Sequence, residues 1–189
     1  FMKVLAIDTS NQAMSIAVLD DEKVIGEITT NIKRNHSERL MPAIDELMKD
    51  VQWQSSELNR IVVAKGPGSY TGLRIGVTVA KTLAWTLGVE LVGISSLKIL
   101  AGNCESSPHY LVPLFDARRK NIYTGLYQWQ NGKLIQIEED KHISAEQWAE
   151  YLSKKEGTFE LIGEDQSIFK DTFERYLMNR VYEAPLKDH

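Results

Sequence analysis

The chain has a single cysteine, Cys104, so no internal disulfide can form; a reducing compartment, the cytoplasm, fits that composition. It lacks any run of about 18 apolar residues, which leaves no candidate for a membrane-spanning helix. No signal-peptide pattern follows Met2, and Phe1 ahead of it reads as an added residue. Positive charge is short as well: 22 Lys and Arg against 26 Asp and Glu leave a net charge of −4. A mildly acidic chain lacks the broad basic face that unaided nucleic-acid binding needs, while a local patch stays open. None of the four histidines (His36, His109, His142 and His189) forms an H-x-x-x-H pair, so no helical zinc or iron site is expected. There is no G-x-S-x-G elbow, and a lone thiol such as Cys104 is usually structural. What is present is ordinary globular composition. The 189 residues are 43% hydrophobic and 25% charged, enough for one large or two small domains and unlike a disordered tail or a disulfide miniprotein.

Hydrophobic patterning divides the chain into two similar halves. Residues 4–7 form a short apolar run ending at Asp8-Thr9-Ser10, followed by strand-like runs at 15–19 and 24–29. Leu40, Met41, Ile44, Leu47, Met48 and Val51 then recur at helical spacing, with Asn35 or Ser37 as the cap and Pro42 near the start. A buried-strand run at 61–64 leads through a glycine loop into a helix over about 72–87, which Gly88 stops. Another strand at 91–94 and a short helix from Ser96 follow. After Pro108 the order restarts. A strand at 110–115 ends at Asp116, a second covers 121–129, and Asn131-Gly132 signals a hairpin into a third at 134–137. Ser144…Gln147 opens a helix, 159–162 is a strand, Gly163 breaks it, and 166–178 reads as a helix. The repeat is one of elements, β-β-β-α-β-α, and it implies two small α/β lobes, 1–104 and 105–189, with a cleft between them. The second lobe is expected to lack its last strand and helix.

Three features could carry chemistry. The block Gly66-Pro67-Gly68-Ser69-Tyr70-Thr71-Gly72-Leu73-Arg74-Ile75-Gly76 joins a buried strand to a helix, a place where backbone N–H groups can cradle an anion. It matches neither a P-loop nor the dinucleotide fingerprint, and on sequence physics alone a tight turn with close helix packing is the favoured reading. Within the helix, Gly72, Gly76, Ala80 and Ala84 form a stripe of small residues, large apolar residues cover much of the remainder, and only Arg74 and Lys81 are charged. Such a helix is buried on more than one side. One side fits its own sheet and the other fits a second chain, burial between lobes being the alternative. Asp8 and Asp116 end the first strand of each half. They could hold Mg²⁺ or orient a water against a phosphate, or each could cap its own turn. Arg118-Arg119-Lys120 suits a phosphate or an acidic partner, or simply a solvated turn.

Asp8-Thr9-Ser10, His36-Ser37-Glu38-Arg39-Leu40-Met41-Pro42, the glycine block, and Asp116-Ala117-Arg118-Arg119…Ile122-Tyr123 together resemble the bacterial TsaB (YeaZ) family over essentially the whole chain. The resemblance implies the actin-like, sugar-kinase-like ATPase fold, related to ribonuclease H. It also implies a non-catalytic paralogue of TsaD, the enzyme that transfers a threonylcarbamoyl group to N6 of an adenosine beside the anticodon in tRNAs reading ANN codons. TsaD binds a metal through a histidine pair after its glycine block, and the matching stretch here, 91–100, contains neither histidine nor carboxylate. Family members pair with TsaD, are joined by the ATPase TsaE, and form homodimers when alone. By that analogy no cofactor is expected of this chain alone, ATP or ADP and Mg²⁺ belong to the complex, and tRNA is met only through it. Asp8, Thr9, Ser10, Gly66, Gly68 and Asp116 would be what remains of a nucleotide or phosphate loop. The family interface uses the first two helices, which implies partner contacts from Leu40, Ile44, Leu47, Gly72, Arg74, Gly76, Ala80, Lys81 and Ala84. A phosphotransferase, hydrolase or peptidase of the same fold is the alternative. One departure stands out: Gly163-Glu164-Asp165-Gln166 replaces a Gly-Asp-Gly-Ala-like turn, which weakens any close approach to a nucleotide there.

Overall fold

The computed structural model describes residues 1–31 and 36–185, so Asn35 and His189 lie outside the described residues. The chain forms two compact units, divided between Ser96 and Leu97 rather than at the expected 104/105. The difference arises because the helix after Ile94 buries Leu97 and Ala101 with Leu111, Phe115, Tyr127 and Ile162 of the second unit.

In the first unit, strands β1 (Lys3–Asp8), β2 (Met14–Asp20) and β3 (Lys23–Thr30) precede helix α1 (His36–Asp50). Strand β4 (Arg60–Ala64), helix α2 (Tyr70–Leu87) and strand β5 (Glu90–Ile94) follow. The sheet order is β3-β2-β1-β4-β5. The meander β1-β2-β3 is antiparallel, whereas β4 lies parallel to β1, and β5 to β4, because each arrives by a helical crossover. Alternation along β2 buries Met14, Ile16 and Val18. Helix α1 covers β2 and β3 with Leu40, Ala43, Ile44, Leu47 and Met48, spaced at three and four residues. Pro42 lies inside α1 on its exposed side, where the missing N–H costs least. The C-terminus of α2 is closed by Gly88 in the left-handed conformation (φ 67°), whose N–H reaches the Ala84 and Trp85 carbonyls.

The second unit contains helix α3 (Ser96–Gly102) from Leu97 onward, the strands β6 (Tyr110–Asp116), β7 (Asn121–Gln130) and β8 (Lys133–Ser144), and helix α4 (Ala145–Ser153). Strand β9 (Phe159–Ile162), helix α5 (Gln166–Leu177) and strand β10 (Val181–Glu183) complete it. Its sheet runs β8-β7-β6-β9-β10, the same order as the first, with the same antiparallel meander and the same parallel crossover strands. The last strand of this lobe, which the sequence reading counted as missing, is therefore present as β10, parallel to β9. Asn131 and Gly132 both have positive φ (52° and 75°), the geometry of the expected hairpin turn. Ser144 Oγ accepts the Gln147 N–H at the start of α4.

Arg180, between α5 and β10, donates to the carbonyls of Ser153, Lys155 and Gly157 and so closes the open end of α4. Arg180→Ala strips these carbonyls of a charged donor and is expected to lower stability by roughly 1.5–3 kcal/mol, measured by urea unfolding.

Candidate functional site

Strand β1 ends in a turn locked by its own side chains. Asp8 Oδ1 accepts the Ser10 N–H at 2.9 Å and also the Ser10 hydroxyl. Thr9 and Ser10 are both almost wholly buried, and the reason is the helix that lies on them. Thr9 Oγ1 donates to the Gly72 carbonyl at 2.6 Å, and the Ser10 carbonyl accepts the Ser69 N–H at 2.8 Å. A Cβ on Gly72 would collide with the Thr9 carbonyl oxygen, one on Gly76 with Thr9 Oγ1, and one on Gly68 with the Ser10 carbonyl oxygen. Gly66 and Gly68 also have positive φ (104° and 156°), and Gly66 exchanges hydrogen bonds with Ser96. The glycine block thus closes the β1 turn against the first turn of α2, which begins at Tyr70 with Ser69 as its cap. His36 adds a ring contact to the Asn11 carbonyl (3.2 Å).

This seam reverses one expectation. The stripe Gly72, Gly76, Ala80 and Ala84 was assigned to a partner, yet these are the buried residues of α2 and they face its own sheet. Ala80 is completely buried among Leu5, Ile7, Ile61 and Val63. Leu40, Ile44 and Leu47 are likewise in the core of the unit, not on its surface. Gly72 and Gly76 must lack a side chain because the Thr9 turn leaves no room for one, and Ala80 and Ala84 continue the stripe in the core. Arg74 and Lys81, from the same set, do point outward.

The outward face of α2 holds what sequence reasoning passed over. Tyr70 is 73% exposed and Trp85 88% exposed. Arg74 lies over the Tyr70 ring (5.6 Å). An open groove of about 420 Å³ is lined by Ser37 of α1 and by Tyr70, Arg74, Ile75, Thr78 and Val79 of α2. The available signal was that helix 72–87 had apolar residues on every side: once the small residues face inward, large ones must face out.

In the second unit Asp116 repeats the lock of Asp8. Its Oδ1 accepts the Arg118 N–H at 2.9 Å, the same two-residue reach, while its own N–H donates to Asp165 Oδ2 (2.9 Å). The Asp165 side chain consequently does not cap α5. Gly163 (φ 129°) lets this loop pass the Leu114 carbonyl, where a Cβ would sit 2.6 Å away. Next to Asp116, Arg118, Arg119 and Lys120 all have positive φ (67°, 53° and 64°). Left-handed backbone costs a non-glycine residue roughly 1–2 kcal/mol, so three in succession persist only because the surroundings fix them. Ala117 N–H bonds the Asn121 carbonyl, Asn121 N–H the Arg118 carbonyl, and Ala145 N–H the Lys120 carbonyl. Each aspartate therefore has a turn-capping role. Among the described residues, no three His, Cys, Asp or Glu side chains form a cluster suited to a metal ion, and no helix is long and apolar enough to cross a membrane.

Comparison with known proteins now places this architecture. Two repeated mixed sheets with crossover helices define the actin-like ATPase fold. An activator of 2-hydroxyisocaproyl-CoA dehydratase from Clostridium difficile shares it, with a TM-score of 0.52 at 8% identity over 98% of this chain and 89% of that one. A family model described as "TsaD: tRNA N6-adenosine threonylcarbamoyltransferase" matches residues 23–182. The chain is 45% identical to the tRNA threonylcarbamoyladenosine biosynthesis protein TsaB of Bacillus subtilis, over all of this chain and 82% of that protein. It is 28% identical to the Escherichia coli protein of the same name, over 75% of this chain and 62% of that protein. The solved structure of YeaZ from Pseudomonas aeruginosa aligns with a TM-score of 0.71 at 30% identity, over 77% of this chain and 68% of that one. The chain belongs to the TsaB (YeaZ) family.

Proposed function

We propose that this chain serves in the formation of threonylcarbamoyladenosine in tRNA, as a non-catalytic scaffold that pairs with TsaD in the cytoplasm. In this reading TsaE joins the pair, the chain forms a homodimer when alone, and tRNA is reached through the assembly. The observation that carries the reading is the outward face of α2, an 18-residue helix without an acidic residue, which exposes Tyr70 and Trp85 and lines a groove with the half-buried Ile75 and Val79. Exposed aromatic residues on a helix face that also lines an apolar groove mark surfaces that bind other proteins. The turn residues support the non-catalytic part. One carboxylate oxygen of Asp8 is engaged by Ser10 and one of Asp116 by the Arg118 N–H, which gives both aspartates a structural use. On this reading ATP or ADP and Mg²⁺ act in the complex and not on this chain alone.

The surface can be tested without disturbing the core. A Tyr70→Ala/Trp85→Ala variant should keep its circular dichroism spectrum, because both side chains are mainly in solvent. Its pairing should weaken by about thirtyfold or more, the effect of losing interface anchors of about 2 kcal/mol. Sedimentation reports self-association. Mixing with cognate TsaD and TsaE, followed by assay of modified adenosine, reports the heteromeric complex. A variant that associates and supports modification like the wild type would remove this face from the reading.

A further inference from the structure

The turn between β6 and β7 has no part in the seam or in the helix face, and its charge is unspent. Arg118, Arg119 and Lys120 are all exposed. Among the described residues none of the three enters an ion pair, whereas Lys141, Lys170 and Arg175 of the same unit do. The acids nearest in the chain make no ion pair with them. Asp116 accepts the Arg118 N–H. Glu146, on the helix whose first N–H meets the Lys120 carbonyl, accepts from Tyr176 and pairs with Arg175. The backbone is held in place by four hydrogen bonds, two within the turn and one each involving Asp116 and Ala145, so the three cations project from a fixed main chain. Just inside the turn, Tyr123 pairs across the strands with His142, the rings 5.1 Å apart and the histidine exposed.

We infer that this turn is a contact for the phosphate backbone of RNA, the tRNA of the pathway proposed above, on which reading the inference rests. Guanidinium groups match phosphate oxygens with paired donors, and the exposed His142 ring, backed by the half-buried Tyr123, suits an unstacked base. The net charge of −4 means that a polyanion can be held only where cations are concentrated and unopposed. An acidic protein surface would suit the same charges, but it makes no use of the exposed His142 ring.

The experiment compares the wild type with an Arg118→Asn/Arg119→Asn/Lys120→Asn variant, each assembled with cognate TsaD and TsaE and titrated with a tRNA transcript across a salt series. Asparagine removes the charge and adopts the left-handed backbone readily, so the turn is preserved. The variant should assemble normally and bind tRNA at least about tenfold more weakly near 100 mM salt. The slope of log affinity against log salt should shrink by about 2–3, one phosphate contact for each charge lost. Equal affinity and slope would overturn the inference while leaving the scaffold reading intact. Failure of the variant to assemble would also overturn it, by showing that the turn meets a protein. If the wild-type mixture neither assembles nor modifies adenosine, the scaffold reading falls, and the same titration on the chain alone decides. Salt-dependent tRNA binding lost in the variant then upholds the contact, and its absence in the wild type ends it.

Discussion

Ala80→Glu is expected to leave the protein unfolded. Ala80 is fully buried against the sheet of the first unit, and nothing in its surroundings, Leu5, Ile7, Ile61 and Val63 among them, can pair with a carboxylate. Placing an unpaired charge there costs at least several kcal/mol, comparable with the whole stability of roughly 5–15 kcal/mol expected of a domain. Lys81→Glu, one residue on and exposed, should change stability by no more than about 0.5 kcal/mol. Far-ultraviolet circular dichroism and thermal melting read both variants. If Ala80→Glu folded and lost only its partner, the helix would face the other way, as the stripe alone had suggested.

The second large effect is expected at Gly72. In an ordinary helix Gly→Ala gains about 1 kcal/mol through propensity. At this position the new methyl group collides with the Thr9 carbonyl oxygen, a backbone atom at the end of β1 that cannot turn aside as a side chain would. Either the β1 turn must lift or α2 must shift along the sheet, and both break the Thr9–Gly72 hydrogen bond. Gly72→Ala should therefore destabilise by about 3 kcal/mol, with unchanged steepness in urea if the native state stays compact. A stabilised Gly72→Ala protein would mean that the seam is loose.

Much of this fold could be read from residues whose physics is local. Gly88, Asn131-Gly132, Ser144 and the spacing of Leu40, Ile44 and Leu47 act on their own neighbours, and each does in the structure what its type predicts. The orientation of α2 could not be read that way. A helix apolar on every side gives no sign of which stripe is inside; the decision comes from Thr9, more than sixty residues earlier. Strand β8 runs to twelve residues, well past the expected 134–137, because Glu138, Glu139 and Asp140 hid it. It is an edge strand, and such a strand can keep charged residues on its wet side. Strand β10 is three residues long, too short for any period. At the site, Asp8 and Asp116 were found correctly as strand-ending aspartates, but sequence could not choose between an ion site and a turn cap. The left-handed run at 118–120 had no signal at all, since arginine and lysine do not favour that backbone.

The paired aspartate locks have a consequence for how the two halves could diverge after duplication. In each, one carboxylate oxygen fixes the course of the chain by accepting the N–H two residues ahead; in the first half the Ser10 hydroxyl joins that bond, while in the second the Arg118 side chain has no part in it. The lock thus separates shape from cargo. In the first half the positions after aspartate are Thr9 and Ser10, small enough to be roofed over by a helix. In the second they are Ala117 and Arg118, and the chain goes on to two further cations. The same frame, on sheets of the same strand order, thus carries a roofed turn in one half and an exposed cationic turn in the other.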